Sequence, residues 1–274
     1  MLSERLMYEA DALVGAAETS AWDGQWYLRA FDDDGNIVGG HKCDECQIDL
    51  LPQSFAVFAH ADRERCRSAL DAVKNKLFDK RLGIMRLFAP PYEITNRYGY
   101  ICRYPAGIRE NGGQYTHAAI WCAAAYFELG DYETGHAVLS SVSPLRIYRA
   151  GRMNGKYTSE PYFIAADIYY GNGVTGQSGW SGYTGSASWF YQIAMKHCLG
   201  VEIKHGCAHV TPPPYVSDDY SAVVRAGGCE MKITVSYGKT DAYPADETVI
   251  IPAGQTVILR PDGKTKNFLL KVEK

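Results

Sequence analysis

Residues 99–142 read GYICRYPAGIRENGGQYTHAAIWCAAAYFELGDYETGHAVLSSV. The second half predicts two consecutive helices. QYTHAAIWCAAAYFEL is apolar and alanine-rich, Gly130 ends it, and Asp131 opens DYETGHAVLSSV as a side-chain cap. The first half carries neither a helical nor a strand period. It is nevertheless too rich in aromatic and apolar residues for a disordered linker, and a long irregular segment in a compact domain is usually functional. A long aromatic loop followed by two helices on a short turn is the unit from which the rest of the chain is read.

Upstream, residues 2–19 place Leu2, Leu6, Met7, Ala10, Leu13 and Val14 at helical spacing, and the helix stops near Ser20. Residues 21–40 form a loop with short extended pieces, in which DDDGN is a turn. PQSFAVFAHA and DRERCRSALDAVKNKLF then pair as helices, with Pro52 in a first turn and Asp62 as a cap. Downstream, EPYFIAADIYYG (160–171) reads as a further helix, and the Gly/Ser-rich GNGVTGQSGWSGYTG leads into the helix SASWFYQIAMKHCLG. From about Gly200 the pattern changes to short β-type runs between turn signals, such as CEMKITVSYG and NFLLKVEK. The expected fold is mainly α, with helical hairpins over 1–199 and a β-rich region over 200–274. Alternating short turns and long loops suggest a toroid of hairpins with the long loops gathered on one face.

Composition excludes several classes. The chain has 274 residues, 46% hydrophobic and 22% charged, so it can bury a sizeable core. Its 28 basic and 31 acidic residues give a net charge of −3, which argues against a general nucleic-acid binder. The 20 Tyr and 5 Trp suit sugar-binding clefts, and a large helical core would also account for them. There is no apolar run of membrane-spanning length and no signal-peptide pattern at the N-terminus, so a cytoplasmic location is expected. The eight cysteines are expected to be reduced thiols. His41, Cys43 and Cys46 have the spacing of half a zinc site, but no second pair follows at finger-like spacing, and a structural zinc needs four converging ligands. No metal is expected.

Three loop segments carry chemistry. In Trp22-Asp23-Gly24-Gln25-Trp26 a carboxylate sits between tryptophans, whose apolar walls would raise its pKa as a general acid requires. The alternative is a turn aspartate flanked by core tryptophans. Arg109-Glu110-Asn111-Gly112-Gly113-Gln114 and His117 bring donors and acceptors together before a helix, which suits sugar hydroxyls, or else forms a capped helix start. Thr184-Gly185-Ser186 at a helix N-terminus offers N–H groups and hydroxyls to an anion, or else an ordinary cap. One acid candidate with an anion site in place of a second carboxylate points to phosphate as nucleophile.

The blocks AWDGQWYLRAFDDDG, PQSFAVFA, GYICRYPAGIRENGGQYTHAAIW, TSEPYFIAADIYY and GWSGYTGSASWFYQ, in this order, resemble glycoside hydrolase family 94, over residues 5–240 or so. These are the inverting β-glucan and β-glucoside phosphorylases. The wording is most similar to 1,2-β-oligoglucan phosphorylases and the C-terminal part of cyclic β-1,2-glucan synthases. The resemblance implies an (α/α)6 barrel and inverting phosphorolysis of β-glucosides to α-glucose 1-phosphate. It implies Asp23 as general acid, Trp22, Arg109 and Glu110 at the sugar, and His117, Thr184 and Gly185 at the phosphate. No cofactor is implied beyond inorganic phosphate as co-substrate. Family members are longer, so this chain is expected to hold the later barrel helices and the tail, as a fragment, as a decayed remnant, or as one half of a split gene whose separately encoded N-terminal fragment is the partner that supplies the rest. The alternative function is a non-catalytic sugar-binding or interaction fragment of such a protein.

Overall fold

The computed structural model describes residues 2–150, 157–171, 173–238 and 243–273. Residues 1, 151–156 and 172, within the expected helical region, and 239–242 and 274, within the expected strand region, lie outside the described residues. The chain divides into two compact units, Met1–Phe190 and Tyr191–Lys274.

The first unit is helical. Its helices are α1 (Leu2–Ser20), α2 (Leu50–Phe58), α3 (Arg63–Lys76), α4 (Thr116–Leu129), α5 (Tyr132–Ser141), α6 (Pro144–Ala150) and α7 (Thr184–Ile193). Helix α4 is buried from Ala118 to Ile120 and from Cys122 to Phe127, so it faces protein on every side. Such a helix belongs in a core. Helices α2, α3 and α5 pack on it, and its five alanines let them approach. Gly130 ends α4 in the left-handed conformation at φ 88°, and Asp131 caps α5 by accepting from the Thr134 N–H. Asp62 caps α3 through Arg65, and Pro52 lies in the first turn of α2 behind Asp49, its actual cap.

Two expectations change. The segment 160–171 is extended, not helical. Asp167–Ile168 pairs with Gln114–Tyr115, and Ala166 and Tyr169 donate to the carbonyls of Trp180 and Gln177. Ala165 to Ile168 are buried in succession, as in a strand covered on both faces. A short apolar run fits either state, and here the Gly/Ser-rich return segment supplies the pairing partners. The unit boundary also falls at 190/191 and not at 199/200. Helix α7 runs into a π-turn at Ala194–Cys198, and Met195 and Leu199 already pack on the strand core of the second unit.

The second unit holds β1 (Val201–Lys204), β2 (Cys207–Val210), β3 (Tyr220–Ala226), β4 (Cys229–Ser236), β5 (Glu247–Pro252), β6 (Val257–Leu259) and β7 (Lys266–Glu273). One antiparallel sheet has the order β6-β2-β1; the other is mixed, with the order β3-β4-β7-β5. Alternate residues Met231, Ile233 and Val235 of β4 and Phe268 and Leu270 of β7 point into the core. The β3–β4 turn is Gly227-Gly228 with φ of 55° and 80°, the two positive values that a tight hairpin turn demands.

In the first unit the loop after α1 is tied to α2 by one side chain. Gln53 is fully buried; its Oε1 accepts from the Tyr27 N–H at 2.9 Å, and its Nε2 donates to the Tyr27 and Asp49 carbonyls at 2.8 and 2.9 Å. Gln53→Ala strands both main-chain groups of Tyr27, and each buried orphan costs about 1–3 kcal/mol. The expected loss of stability is on the order of 2–4 kcal/mol, read from urea unfolding. A loss under about 1 kcal/mol would show that water replaces the amide.

Candidate sugar and phosphate site

The loop before α4 is built on a buried amide. Asn111 accepts from the Tyr92 N–H at 2.7 Å and donates to the carbonyls of Tyr92 and Tyr104 at 2.9 and 2.7 Å. The glycines of the motif serve the protein's own backbone: a Cβ on Gly113 would lie 2.9 Å from the carbonyl oxygens of Arg109 and Gly107. This packing sets Arg109 in the left-handed region at φ 49° and presents Arg109 and Glu110 together. The guanidinium lies over the Tyr104 and Trp180 rings, 5.7 and 5.5 Å from their centroids, and its Nε is 3.4 Å from Glu110 Oε2. Both side chains stay partly exposed, so the pair can meet a polar ligand.

His117 lies in the first turn of α4. Its ring stacks on Trp121, with centroids 4.2 Å apart, and lies 6.3 Å from Trp189. A Cβ built on Gly185 would be 3.5 Å from the imidazole, so the first turn of α7 meets the first turn of α4. Burial pushes the His117 pKa below its ordinary value, which keeps the ring neutral near pH 7. His117 Nε2, Thr116 Oγ1 and Ser186 Oγ are buried and have no hydrogen-bond partner. Thr184 itself is exposed. Unpaired buried polar atoms at a helix N-terminus are an arrangement that an oxyanion satisfies.

Asp23 is placed differently from the expectation. Oδ1 accepts from the Gln25 and Trp26 N–H groups at 2.9 and 3.0 Å; Oδ2 accepts from the His41 N–H at 2.9 Å and lies 3.0 Å from His41 Nδ1. Burial pushes the carboxyl up, but the N–H groups of Trp26, His41 and Gln25 and the His41 ring outweigh it, and its pKa is lowered. The raised pKa expected from tryptophan walls is therefore reversed. The tryptophans do not wall the carboxylate either. Trp26 is buried and donates to the Gly39 and Gln47 carbonyls, while Trp22 packs on Tyr27 and under the Arg65 guanidinium. Asp23 instead borders a cavity of about 560 Å³ with His41, Tyr92, Arg97 and Tyr98.

Arg109 and Glu110 thus come together, His117 and Gly185 come together, and Asp23 sits with His41. Tyr92, which lines the Asp23 cavity, is held by Asn111 beside Glu110. Cys46 is a buried free thiol with its pKa pushed up to about 12 by burial, and Cys43 donates to the Ile37 carbonyl. Among the described residues no group of three or more metal-ligating side chains converges.

Residues 2–200 match the catalytic domain of the glycosyl hydrolase 94 superfamily. The chain belongs to that superfamily. It is 38% identical over 238 residues to the cyclic beta-(1,2)-glucan synthase NdvB of Rhizobium meliloti, covering 85% of this chain and 8% of that protein. It is 31% identical over 202 residues to the solabiose phosphorylase of Paenibacillus borealis, covering 73% of this chain and 26% of the relative. It is 29% identical over 213 residues to the N,N'-diacetylchitobiose phosphorylase of Vibrio proteolyticus, covering 75% and 25%. The chain therefore spans between a twelfth and about a quarter of these relatives. No helix among the described residues is long and apolar enough to cross a membrane.

Three residues of the Arg109 cluster are not among those the sequence points to: Tyr104, Asp167 and Trp180. The signal was present for Asp167, as a carboxylate inside the apolar run IAADIYY. In the sequence His41 stands out only beside Cys43 and Cys46, in a spacing that does not make a zinc site, and its place beside Asp23 is not marked.

The charge state of Asp23 can be tested. Its folded pKa lies below its unfolded value, so its contribution is complete above about pH 3.9 and is lost as pH falls through the folded pKa. Asp23→Ala should cost on the order of 1–2 kcal/mol at pH 7, by unpairing its N–H donors. The gap to wild type should narrow in urea unfolding as the pH is taken down towards 3. A gap independent of pH would mean that the carboxylate charge contributes nothing.

Proposed function

We propose that this chain carries the sugar-facing and phosphate-facing groups of an inverting glycoside phosphorylase acting on β-linked glucosides. The proposed substrates are β-1,2-glucooligosaccharides, and the product is α-glucose 1-phosphate. The observation that carries the proposal is the trio of unpartnered buried atoms, His117 Nε2, Thr116 Oγ1 and Ser186 Oγ, on the first turns of α4 and α7. The 38% identity to a β-1,2-glucan synthase supports the linkage. In the proposed reaction a phosphate oxygen attacks the anomeric carbon from the face opposite the leaving sugar. The C1–O bond to that sugar breaks, the new C1–O bond to phosphate forms, and the departing oxygen takes a proton. Arg109 and Glu110 are proposed to orient the sugar hydroxyls, and His117, Thr184 and Gly185 the phosphate.

Asp23 is proposed as the group that gives the departing oxygen its proton, or else as a loop-shaping carboxylate that accepts from the N–H groups of Gln25, Trp26 and His41. Asp23→Asn separates the two roles. If Asp23 is the acid, phosphorolysis of an unactivated oligosaccharide falls by roughly 10²–10⁴ while a nitrophenyl glucoside is spared. If it shapes the loop, both substrates lose activity together.

A second function is favoured by α1, along which no residue is buried and Leu2, Leu6, Met7 and Leu13 are exposed. A non-catalytic sugar-binding chain, or one that works only when a separately encoded N-terminal fragment covers this face, accounts for that stripe. The test is phosphate-dependent release of glucose 1-phosphate from β-1,2-glucooligosaccharides, by the chain alone and with the complementing fragment. Turnover is expected only with the fragment. Sugar binding without turnover in either case would favour the non-catalytic function. In the active complex, His117→Ala should raise the apparent KM for phosphate, because the imidazole touches the anion in both ground and transition states.

A further inference from the structure

Asp167 is 1% exposed, and no side chain donates a hydrogen bond to its carboxylate; the Arg109 and Trp180 N–H groups lie beside it in poor hydrogen-bond geometry, and burial raises its pKa against them and against the Arg109 charge. Its cage is backbone. Ala166 donates to the Trp180 carbonyl at 2.7 Å, Gly179 donates to the Asp167 carbonyl at 3.0 Å, and a Cβ on Gly179 would fall 2.2 Å from Oδ1. The nearest cation is Arg109, whose Nη1 lies 4.0 Å from Asp167 Oδ1 and is itself buried without a hydrogen-bond partner. On its other side the same guanidinium holds Glu110 through Nε at 3.4 Å. Tyr104 and Trp180 cover it with their rings. Arg109 is therefore shared by two carboxylates, one enclosed and one facing out, and is bonded tightly to neither.

With Arg109 and Glu110 taken as sugar-binding groups, as above, we propose that Asp167 is a positioning residue that keeps the Arg109 guanidinium from closing onto Glu110. An unrestrained Arg beside a carboxylate forms the bidentate fork, which occupies both carboxylate oxygens. Held back by Asp167, Arg109 leaves Glu110 lone pairs free to accept from sugar hydroxyls and turns its own N–H groups outward. The buried anion also compensates the cation at a site where an uncompensated charge would be expensive. The enclosed carboxylate thus acts on the sugar only through Arg109.

The test uses the whole chain and Asp167→Asn, an isosteric change that respects the space next to Gly179. The first readout is the side-chain Nε–H resonance of Arg109. In Asp167→Asn it should move downfield and exchange more slowly with water, because the guanidinium closes onto Glu110. The second is calorimetric titration with sophorose, the β-1,2-linked disaccharide. Affinity should fall roughly tenfold, the scale of one charge-assisted hydrogen bond. In an Arg109→Gln background Asp167→Asn should add nothing, whereas a merely structural role would add its full effect. An Arg109 resonance unchanged by Asp167→Asn overturns the proposal. If Asp167→Asn does not fold, Glu110→Gln decides: the Arg109 Nε–H should keep its wild-type exchange rate, and a markedly faster exchange overturns the proposal. Failure of the wild type to bind sophorose overturns the sugar assignment of Arg109 and Glu110, while the resonance still judges the positioning role.

Discussion

A loop packed against helices has to find partners for its N–H and C=O groups without a regular ladder, since a buried unpaired group costs as much as a lost hydrogen bond. In the first unit three buried side-chain amides meet that demand. Gln53 bonds both main-chain groups of Tyr27, Asn111 bonds both of Tyr92, and Gln114 accepts from the Met85 N–H at 2.7 Å. Each amide comes from a helix or from the approach to one and fixes a loop distant in sequence. The loops are therefore stitched to the helical core at single points, which lets them be long and irregular yet still hold side chains in place.

The stitches bear on the site directly. Asn111 is the neighbour of Glu110, and Gln114 belongs to the pair with Asp167–Ile168. One short stretch, 109–117, therefore meets α4, the strand at 167–168 and the loop at Tyr92 at once. Arg109 holds a left-handed conformation between two tightly enclosed glycines: a Cβ on Gly107 would lie 1.6 Å from the Tyr170 carbonyl oxygen, and one on Gly113 2.9 Å from the Arg109 carbonyl oxygen. Helix α4 then carries His117 outward from a fully packed cylinder. Its ring orientation is inherited from Trp121 one turn along the helix.

Much of this layout was visible in the sequence, for physical reasons that are local. Asp62, Asp131 and Gly130 announce helix ends because capping needs only a short side chain or a residue tolerant of positive φ. The β-rich tail shows as alternation because half of each strand faces water. What was hidden depends on distant partners. The run FIAADIYY is extended because residues 177–180 return to pair with it, which no periodicity encodes. Asp23 reads as an acid in an apolar niche only if its tryptophan neighbours in sequence are also its neighbours in space. Its real neighbours are the N–H groups of its own turn and His41, eighteen residues away. Asp167 is not marked by its own neighbours, because Arg109, the cation beside it, is 58 positions upstream.

The two halves of the proposed site differ in what they can contribute. Around Glu110 there are formal charges: a guanidinium and two carboxylates. Around Gly185 there are a neutral imidazole, hydroxyls and the N-terminus of a ten-residue helix. The helix end amounts to about half a positive charge and is worth on the order of 0.3–2 kcal/mol towards an anion. Hydrogen bonds add direction but little net energy against water, about 0.5–1.5 kcal/mol each. Such a set orients a phosphate without neutralising a dianion. Tight binding there requires either that His117 take up a proton as phosphate arrives, against the burial that keeps it neutral, or that a cation come from a complementing segment. The first route makes phosphate affinity rise as pH falls, and the second leaves the imidazole free to stay neutral and act as a plain hydrogen-bond donor. His117 lies against Trp121 with Trp189 nearby, and the desolvation that lowers its pKa opposes the first route.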